Sequence, residues 1–525
     1  MYRILCFLFF LSYSPVICFS FSNSTKLCPH HQNVALLRLK QLFSIDVSAS
    51  SSDDCNLASF AKTDTWKEGT NCCSWDGVTC NRVTGLVIGL DLSCNSLFLL
   101  PHLRRLNLAF NDFNKSSISA KFGQFRRMTH LNLSFSGFSG VIAPEISHLS
   151  NLVSLDLSIY SGLGLETSSF IALAQNPTKL RNFIYEKVWI SRPAISRFHS
   201  SVLGNLTQIT HLDLSRNQFD GEISNVFNKI RKLIFIASLD NLTKLSFLDL
   251  SNNNLEGIIP SHVKELSSLS DIHLSNNLLN GTIPSWLFSL PSLIRLDLGH
   301  NKLNGHIDEF QSLHWTTTAI PTYALPFLET LLLSSCNISE FPRFLCVKRC
   351  WSFGPFKQQD LWTTSKWAWN MGMETLSYFN LSQNLLTRFE RFPWKNMLFL
   401  DLHSNLLQGP LPSLICEMSY ISVLDFSNNN LSGLIPQCLG NFSEQFYQNL
   451  GFNGNQLEGP LPLSLINCRR LQVLDLGNNR INDTFLIGWK LFQSYKHIPS
   501  SLGNLMVLES LDLSSNKLSG RIPRS

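Results

Sequence analysis

The chain has 525 residues, 42 Lys and Arg against 37 Asp and Glu, and a hydrophobic content of 44%. That length exceeds what one compact core can serve, so the chain is either several domains or one elongated array. The apolar content excludes wholesale disorder, and a net charge of only +5 with no run of Lys or Arg excludes a nucleic-acid footprint.

In chain order, Arg3 precedes the apolar run from Ile4 to Leu11, and Ser12, Ser14, Ser20 and Ser22 surround the point where a leader would be cut. The run is too short to cross a bilayer, so residues 1–22 read as a secretory signal peptide cleaved near Ser20 to Ser22. Export agrees with the eleven Asn-X-Ser/Thr sequons at Asn23, Asn114, Asn132, Asn205, Asn241, Asn280, Asn337, Asn380, Asn430, Asn441 and Asn482, each a glycosylation candidate. It also agrees with Cys28, Cys55, Cys72, Cys73, Cys80 and Cys94 falling in one early block, as a disulfide-stapled segment in an oxidising compartment would have. Within that block, residues 31–40 read as a short amphipathic helix, followed by Trp66 and the run from Asn71 through Trp75 to Cys80.

Beyond it a unit recurs. Its form is Leu-x-Leu-x-x-Asn-x-Leu-x-Gly-x-Ile-Pro, seen plainly from Leu248 to Pro260. Fifteen starts are recognisable, at Leu90, Leu106, Leu131, Leu155, Leu212, Leu248, Ile272, Leu296, Leu331, Phe379, Leu400, Leu424, Leu450, Leu474 and Leu511. Leu-x-Leu predicts a short strand with its leucines inward. The fifth residue beyond the first Leu is Asn in twelve of the fifteen units, where a side-chain amide can satisfy backbone groups as the chain turns in. Gly permits a tight bend and Pro ends strand pairing on the outer side. One unit cannot bury its own leucines, so stability must come from stacking. The expected fold is an α/β, right-handed leucine-rich-repeat solenoid with a concave parallel β-sheet and a disulfide-stapled N-terminal helical cap.

The Gly-x-Ile-Pro variant resembles the plant class of leucine-rich repeats, and the block from Cys28 to Cys80 resembles the N-terminal cap of plant leucine-rich-repeat receptors. From about Cys28 onward the chain is similar to plant receptor-like proteins of the group that includes tomato leaf-mould resistance proteins. The resemblance implies a cap over 23–84 and repeats over 85–525. It also implies pairing of Cys73 with Cys80 and of Cys28 with Cys72, with Cys55 and Cys94 the remaining pair. Cys416 and Cys438 lie in successive units and either staple neighbouring coils or stay as buried thiols.

The repeat pattern is irregular at 158–205 and 342–376. Steps of 57, 36, 35, 48 and 37 residues interrupt the regular 24, and the 48-residue step from Leu331 to Phe379 suggests a lost unit near Pro355. A frame-shifted stretch or a Cys- and Trp-rich insertion would each look like this. The last unit stops at Ser525 with no apolar run of transmembrane length after it. Beside the family pattern, that reads as a truncated receptor from an incomplete or degenerate gene.

No nucleophile elbow, phosphate loop, kinase signature or zinc spacing occurs, so neither catalysis nor a cofactor is expected. The aspartates filling the x of Leu-x-Leu (Asp156, Asp213, Asp249, Asp297, Asp401, Asp425, Asp475 and Asp512) read as a surface ladder. His130, His211, His273, His300 and His403 read as exposed x-position residues and not as a metal cluster. The outward positions of stacked strands are where solenoids usually bind. The ligand-binding candidates there are Arg104, Arg105, Phe110, Thr129, His130, Phe135, Thr210, His211, Arg216, Asp271, His273, Arg295 and His300. Sugar at Asn132 or Asn380 would obstruct part of that face. The resemblance implies a protein or peptide ligand, a membrane co-receptor with a kinase domain, and the extracellular side of the plasma membrane, in defence. The alternatives are a secreted inhibitor resembling polygalacturonase-inhibiting proteins, or a non-functional fragment.

Overall fold

The computed structural model describes residues 27–41, 62–91, 103–158 except 114, 163–165, 169, 172–173, 179–186, 189–190, 208–230 except 229, 245–307 except 262–265, 327–340, 375–389, 396–439, 448–482 except 463, 466–467 and 469, and 507–519. The expected signal peptide, most of 342–376, Cys55, Cys94, Asn23, Asn114, Asn205, Asn241 and Asn441 lie outside the described residues.

Each coil opens with a short strand whose central apolar residue points inward. Leu248 in Phe247–Asp249, Ile272 in Asp271–His273 and Leu296 in Arg295–Asp297 are fully buried. Parallel pairing sets these residues in one file, Leu90 beside Leu106, Leu131, Leu155, Phe183, Leu212 and Leu248 in turn. The file runs on through Ile272, Leu296, Leu331, Phe379, Leu400, Leu424, Leu450, Leu474 and Leu511. The resulting sheet has 17 strands among the described residues. Burying such a side chain stabilises by roughly 1.5–3 kcal/mol, and each is covered mainly by the coils on either side. Leu511, on the outermost strand described, is accordingly 41% exposed.

The asparagine file explains the turn out of the sheet. Asn277 donates its Nδ2 to Leu250 O of the preceding coil at 2.9 Å and to Leu274 O and Ser275 O of its own. Its Oδ1 accepts Leu255 N–H at 3.0 Å. Asn253, Asn301, Asn405, Asn429, Asn455 and Asn479 make the same cross-coil donation. Where the file departs from Asn, the substitutes still donate: Ser136 Oγ to Leu108 O, and Cys336 Sγ to Leu298 O. The residue just before each ladder position turns left-handed, as at Asn252, Asn276 and Asn428. Glycine is required at 281, where φ is +78° and a Cβ would come within 2.7 Å of Ile258 Cγ2.

The Gly-x-Ile-Pro segments form smaller parallel sheets on the flank. One joins Asp220–Glu222, Asn254–Ile258, Leu278–Ile283 and Lys302–Ile307. Short 3-10 turns such as Pro144–His148 and Ser285–Ser289 push Ile146 and Leu287 into the core from the other side.

At the N-terminal end, helix His30–Gln41 lies over the first coil. Buried Gln32 accepts Val87 N–H at 2.8 Å, tying the helix to strand Val87–Asp91. Trp66 and Trp75 stack with centroids 5.6 Å apart beneath it. Disulfides join Cys28 to Cys72 and Cys73 to Cys80, and a third joins Cys416 to Cys438 across successive coils. Cys336 and Cys468 are buried free thiols, each pushed up to about 12 by burial.

The structure corrects the reading of the long steps. Asn182–Ile184 is a strand between those of Leu155 and Leu212, so the 57-residue step is two coils. Its inward residues are Phe183 and Tyr185, which disguised the Leu-x-Leu pattern. Conversely, Thr330–Leu332 pairs directly with Tyr378–Asn380. The 48-residue step therefore joins two strands that are neighbours in the sheet, and residues 341–374 between them lie outside the described residues.

Candidate functional site

Folding constrains the central leucine and the ladder asparagine of each coil. The residues on either side of the central leucine face outward, and their identity is largely free of the repeat's structural needs. On most coils they are small or polar, and rings stand there on two stretches: His211, Phe247 and His273, and further along Tyr378 with Phe399, stacked 6.3 Å apart.

The aspartate that follows the central leucine in many of the coils has a structural task. Its Oδ1 accepts the backbone N–H two residues on: Ser158 for Asp156, Ser215 for Asp213, Ser251 for Asp249 and Gly299 for Asp297, at 2.8–3.1 Å. Asn107, Asn132 and Asn380 do the same for Ala109, Ser134 and Ser382. The bond pins each carboxylate to the strand end, so neighbouring coils hold a file of like charges that cannot move apart. Burial pushes Asp156, Glu186 and Asp249 above the usual carboxylate range, with repulsion from Asp213 adding to each. Arg216 is the cation that meets them, 3.1 Å from Glu186.

Beside this file stands a row of rings. His211 stacks on Phe247 with centroids 3.9 Å apart, and His273 lies 5.7 Å from the other side of Phe247. Burial holds His211 below its ordinary range, opposed by Asp213, Asp271 and Asp156. The arrangement offers aromatic edges and pinned carboxylates within one short stretch of sheet, chemistry suited to a partner carrying apolar and cationic groups.

The predicted residues fall into three groups. Arg104, Arg105, Thr129, His130, Thr210, His211, His273 and Arg295 are on or just before the strands, as expected. Arg104 and Arg105 are exposed, while His130 is half-buried, lowered by burial and by Arg105. Thr129 and Thr210 turn their hydroxyls back to Arg104 O and Arg181 O. Phe110, Phe135, Arg216 and His300 sit elsewhere, on the left-handed turn at the rim of the sheet, at φ of 49–55°. Four residues beyond the central leucine, they follow the strand and do not belong to it. Phe110 and Phe135 stack there at 5.3 Å. Asp271 is not available to a ligand: it is 8% exposed, paired to Arg295 at 2.7 Å and bonded by Ser270 Oγ.

Phe247 and Glu186 were missed. Phe247 precedes an apolar residue and reads as core, yet strict alternation from Leu248 places it outward. Glu186 belongs to the disguised coil. Of the described sequons, Asn132 and Asn380 lie on this face, whereas Asn280, Asn337, Asn430 and Asn482 are exposed off it. The close trio Cys28, Cys72 and Cys73 is spent in disulfides and holds no metal. Among the described residues, no helix is long and apolar enough to cross a membrane.

Leucine rich repeat models match residues 208–230, 241–303, 420–442 and 507–525, with a further match at 100–120. Over 217 residues the chain is 37% identical to Receptor-like protein Cf-9 of Solanum pimpinellifolium, covering 38% of this chain and 24% of that protein. Over 198 residues it is 40% identical to Receptor-like protein 6 of Arabidopsis thaliana, covering 33% and 20% respectively. The matched stretches thus span a quarter or less of these relatives. Among solved structures it is similar to the plant peptide hormone receptor RGFR1 in complex with RGF2, at 20% identity and a TM-score of 0.52 over 85% of this chain and 73% of that one. It is also similar to the Arabidopsis receptor kinase HAESA in complex with the peptide hormone IDA and the co-receptor SERK1, at 23% identity and 0.52 over 94% and 91%. At these identities the structural likeness establishes the leucine-rich-repeat fold.

Proposed function

We propose that this leucine-rich-repeat chain is the ligand-recognition part of a plant cell-surface receptor-like protein, acting in defence on the extracellular side of the plasma membrane. The ligand is a peptide or protein held on the open face of the sheet. Signalling then passes through a membrane co-receptor that carries a kinase domain. Similarity to receptor-like proteins supports the class, and the face itself supports the mode of binding.

The observation that carries the reading is the row His211, Phe247 and His273 beside the pinned carboxylates of Asp213 and Asp249. The repeat does not need a large ring outside the core. Aromatic anchors of this kind dominate binding energy at protein interfaces. The secreted chain, immobilised, is exposed to apoplastic fluid from challenged plants, in parallel with a Phe247→Ala, Asp249→Asn double variant. Peptides retained by the native chain and lost from the variant, identified by mass spectrometry, support the reading. Equal retention by both overturns the assignment of the face.

A further inference from the structure

The position three beyond the central leucine is filled by small, buried residues in most coils, such as Ser251, Ser275, Gly299, Ser382 and Ser427. It lies at the strand end, where the preceding aspartate bonds its N–H, and a small residue suffices. Among the described coils only Glu186 and His403 bring a titratable group there. Glu186 is answered by Arg216. His403 instead faces two carboxylates.

Its Nδ1 lies 2.7 Å from Asp401 Oδ1, and one donor atom from each of Asp401, His403 and Asp425 lies within 4.8 Å of the others. The parallel register places Asp401 beside Asp425 on adjacent strands, so the three donors come from two coils. Both carboxylates are oriented from behind. Ser427 N–H donates to Asp425 Oδ1 at 2.8 Å, and Asn380 Nδ2 reaches Asp401 Oδ2 at 3.3 Å. The next residue along the file is Gly451, where other coils carry Asp or Asn. A Cβ there would stand 2.8 Å from Asp425 Oδ1, so glycine keeps that side of the cluster open.

We propose that Asp401, His403 and Asp425 form a binding site for a divalent transition-metal ion, zinc before others. One imidazole and two carboxylates suit zinc, whereas calcium and magnesium prefer all-oxygen sets. Water supplies the remaining positions from the side that Gly451 leaves clear. The His403 Nε2 lies 3.4 Å from the Gln383 side-chain amide. The ion takes the Nδ1 lone pair of the neutral ring whose single proton sits on Nε2, facing that amide, so no proton is lost from this tautomer and no other bond changes. The Ser427 N–H and the Asn380 amide, which hold the two carboxylates, match how protein metal sites are supported. This site lies several coils along the same sheet from the row of His211, Phe247 and His273 and stands or falls separately from it.

The test uses the tag-free secreted chain, stripped with EDTA, dialysed and titrated with zinc chloride by calorimetry, with cobalt absorption reporting the donor set. One saturable ion per chain is expected. His403→Ala should weaken it at least tenfold, and His300→Ala, altering an exposed histidine in another coil, should not. Gly451→Ala should also weaken it by crowding Asp425. Should His403→Ala fail to fold, Asp425→Asn carries the test, since Asn132 and Asn380 make the same backbone bond as the aspartates. Absence of saturable binding, or equal affinity in a folded His403→Ala or Asp425→Asn chain, overturns the proposal.

Discussion

Replacing Asn277 by Ala tests the ladder on which the open face depends. Asn277 is 6% exposed, and its amide serves Leu250 O of the coil before while its carbonyl takes Leu255 N–H from the same coil. Alanine leaves the buried Leu255 N–H without its partner, while Leu250 O keeps the donation from Asn253 Nδ2 at 3.1 Å. One unpaired buried group costs about 1–3 kcal/mol, so the loss is about 1–3 kcal/mol, nearer the low end if water enters. Asn277→Ser should fall between. Ser136 shows that a hydroxyl reaches the preceding coil's carbonyl, but a serine at 277 abandons Leu255 N–H. Urea unfolding followed by circular dichroism gives the global loss, and hydrogen exchange across residues 248–260 reads the Leu255 amide itself. Asn254→Ala, at an exposed neighbouring position, is the control and should change stability by under about 0.5 kcal/mol. If Asn277→Ala unfolds at the native urea concentration and its Leu255 amide exchanges no faster, the ladder does not hold the coils together as argued.

Other outcomes follow from the same geometry. Phe247→Ala should leave the fold intact and raise the His211 pKa, because burial holds that ring below its ordinary range while Asp213 favours its protonated form; NMR titration of the ring protons reads the shift. Asp249→Asn should stabilise the chain at neutral pH. The Asp249 carboxyl is raised in the folded state, so its charge costs stability above that raised value, and the cost is relieved as pH falls toward the unfolded value. The gain should therefore be present near pH 7 and shrink in acid, as thermal melts at both pH values would show. Cys416→Ser with Cys438→Ser should cost about 3 kcal/mol on the chain-entropy model for a bridge spanning 22 residues, seen as a lower urea midpoint.

The sequence made the scaffold legible because two of its periods are physical necessities. Inward leucines two residues apart and an amide at most turns are demands that the coils repeat, and thirteen neighbouring pairings in the sheet join starts visible in the sequence. The disguised coil shows the limit. Phe183 and Tyr185 fill the same inward positions as two leucines, and the sequence has Val188 where the Asn would fall, so the letters change while the strand Asn182–Ile184 keeps its place in the sheet. Length alone could have found it, since 57 residues is near twice the usual step, but the steps of 36 and 48 that join neighbouring strands show that length is no safe guide. Excess residues between strands cost the sheet nothing, provided the next strand returns in register.

The sites were harder to see for a different reason. Asp401 and Asp425 are 24 residues apart, one repeat, which is the spacing the repeat itself imposes on any two residues at the same position of adjacent regular coils. Spacing therefore cannot separate a metal-binding pair from a structural file of caps. What separates them is the third residue. His403 is large where the coil needs only something small, and the same reasoning marks Phe247, a ring placed where the repeat asks for nothing. In a solenoid, function is written as departure from the consensus at positions the fold leaves free. Arg216 and His300 show the converse. They looked like strand-face residues in the sequence, but the left-handed turn before each ladder asparagine carries them to the rim. Assigning a face therefore requires counting from the buried leucine: one residue either side is sheet, four beyond is edge.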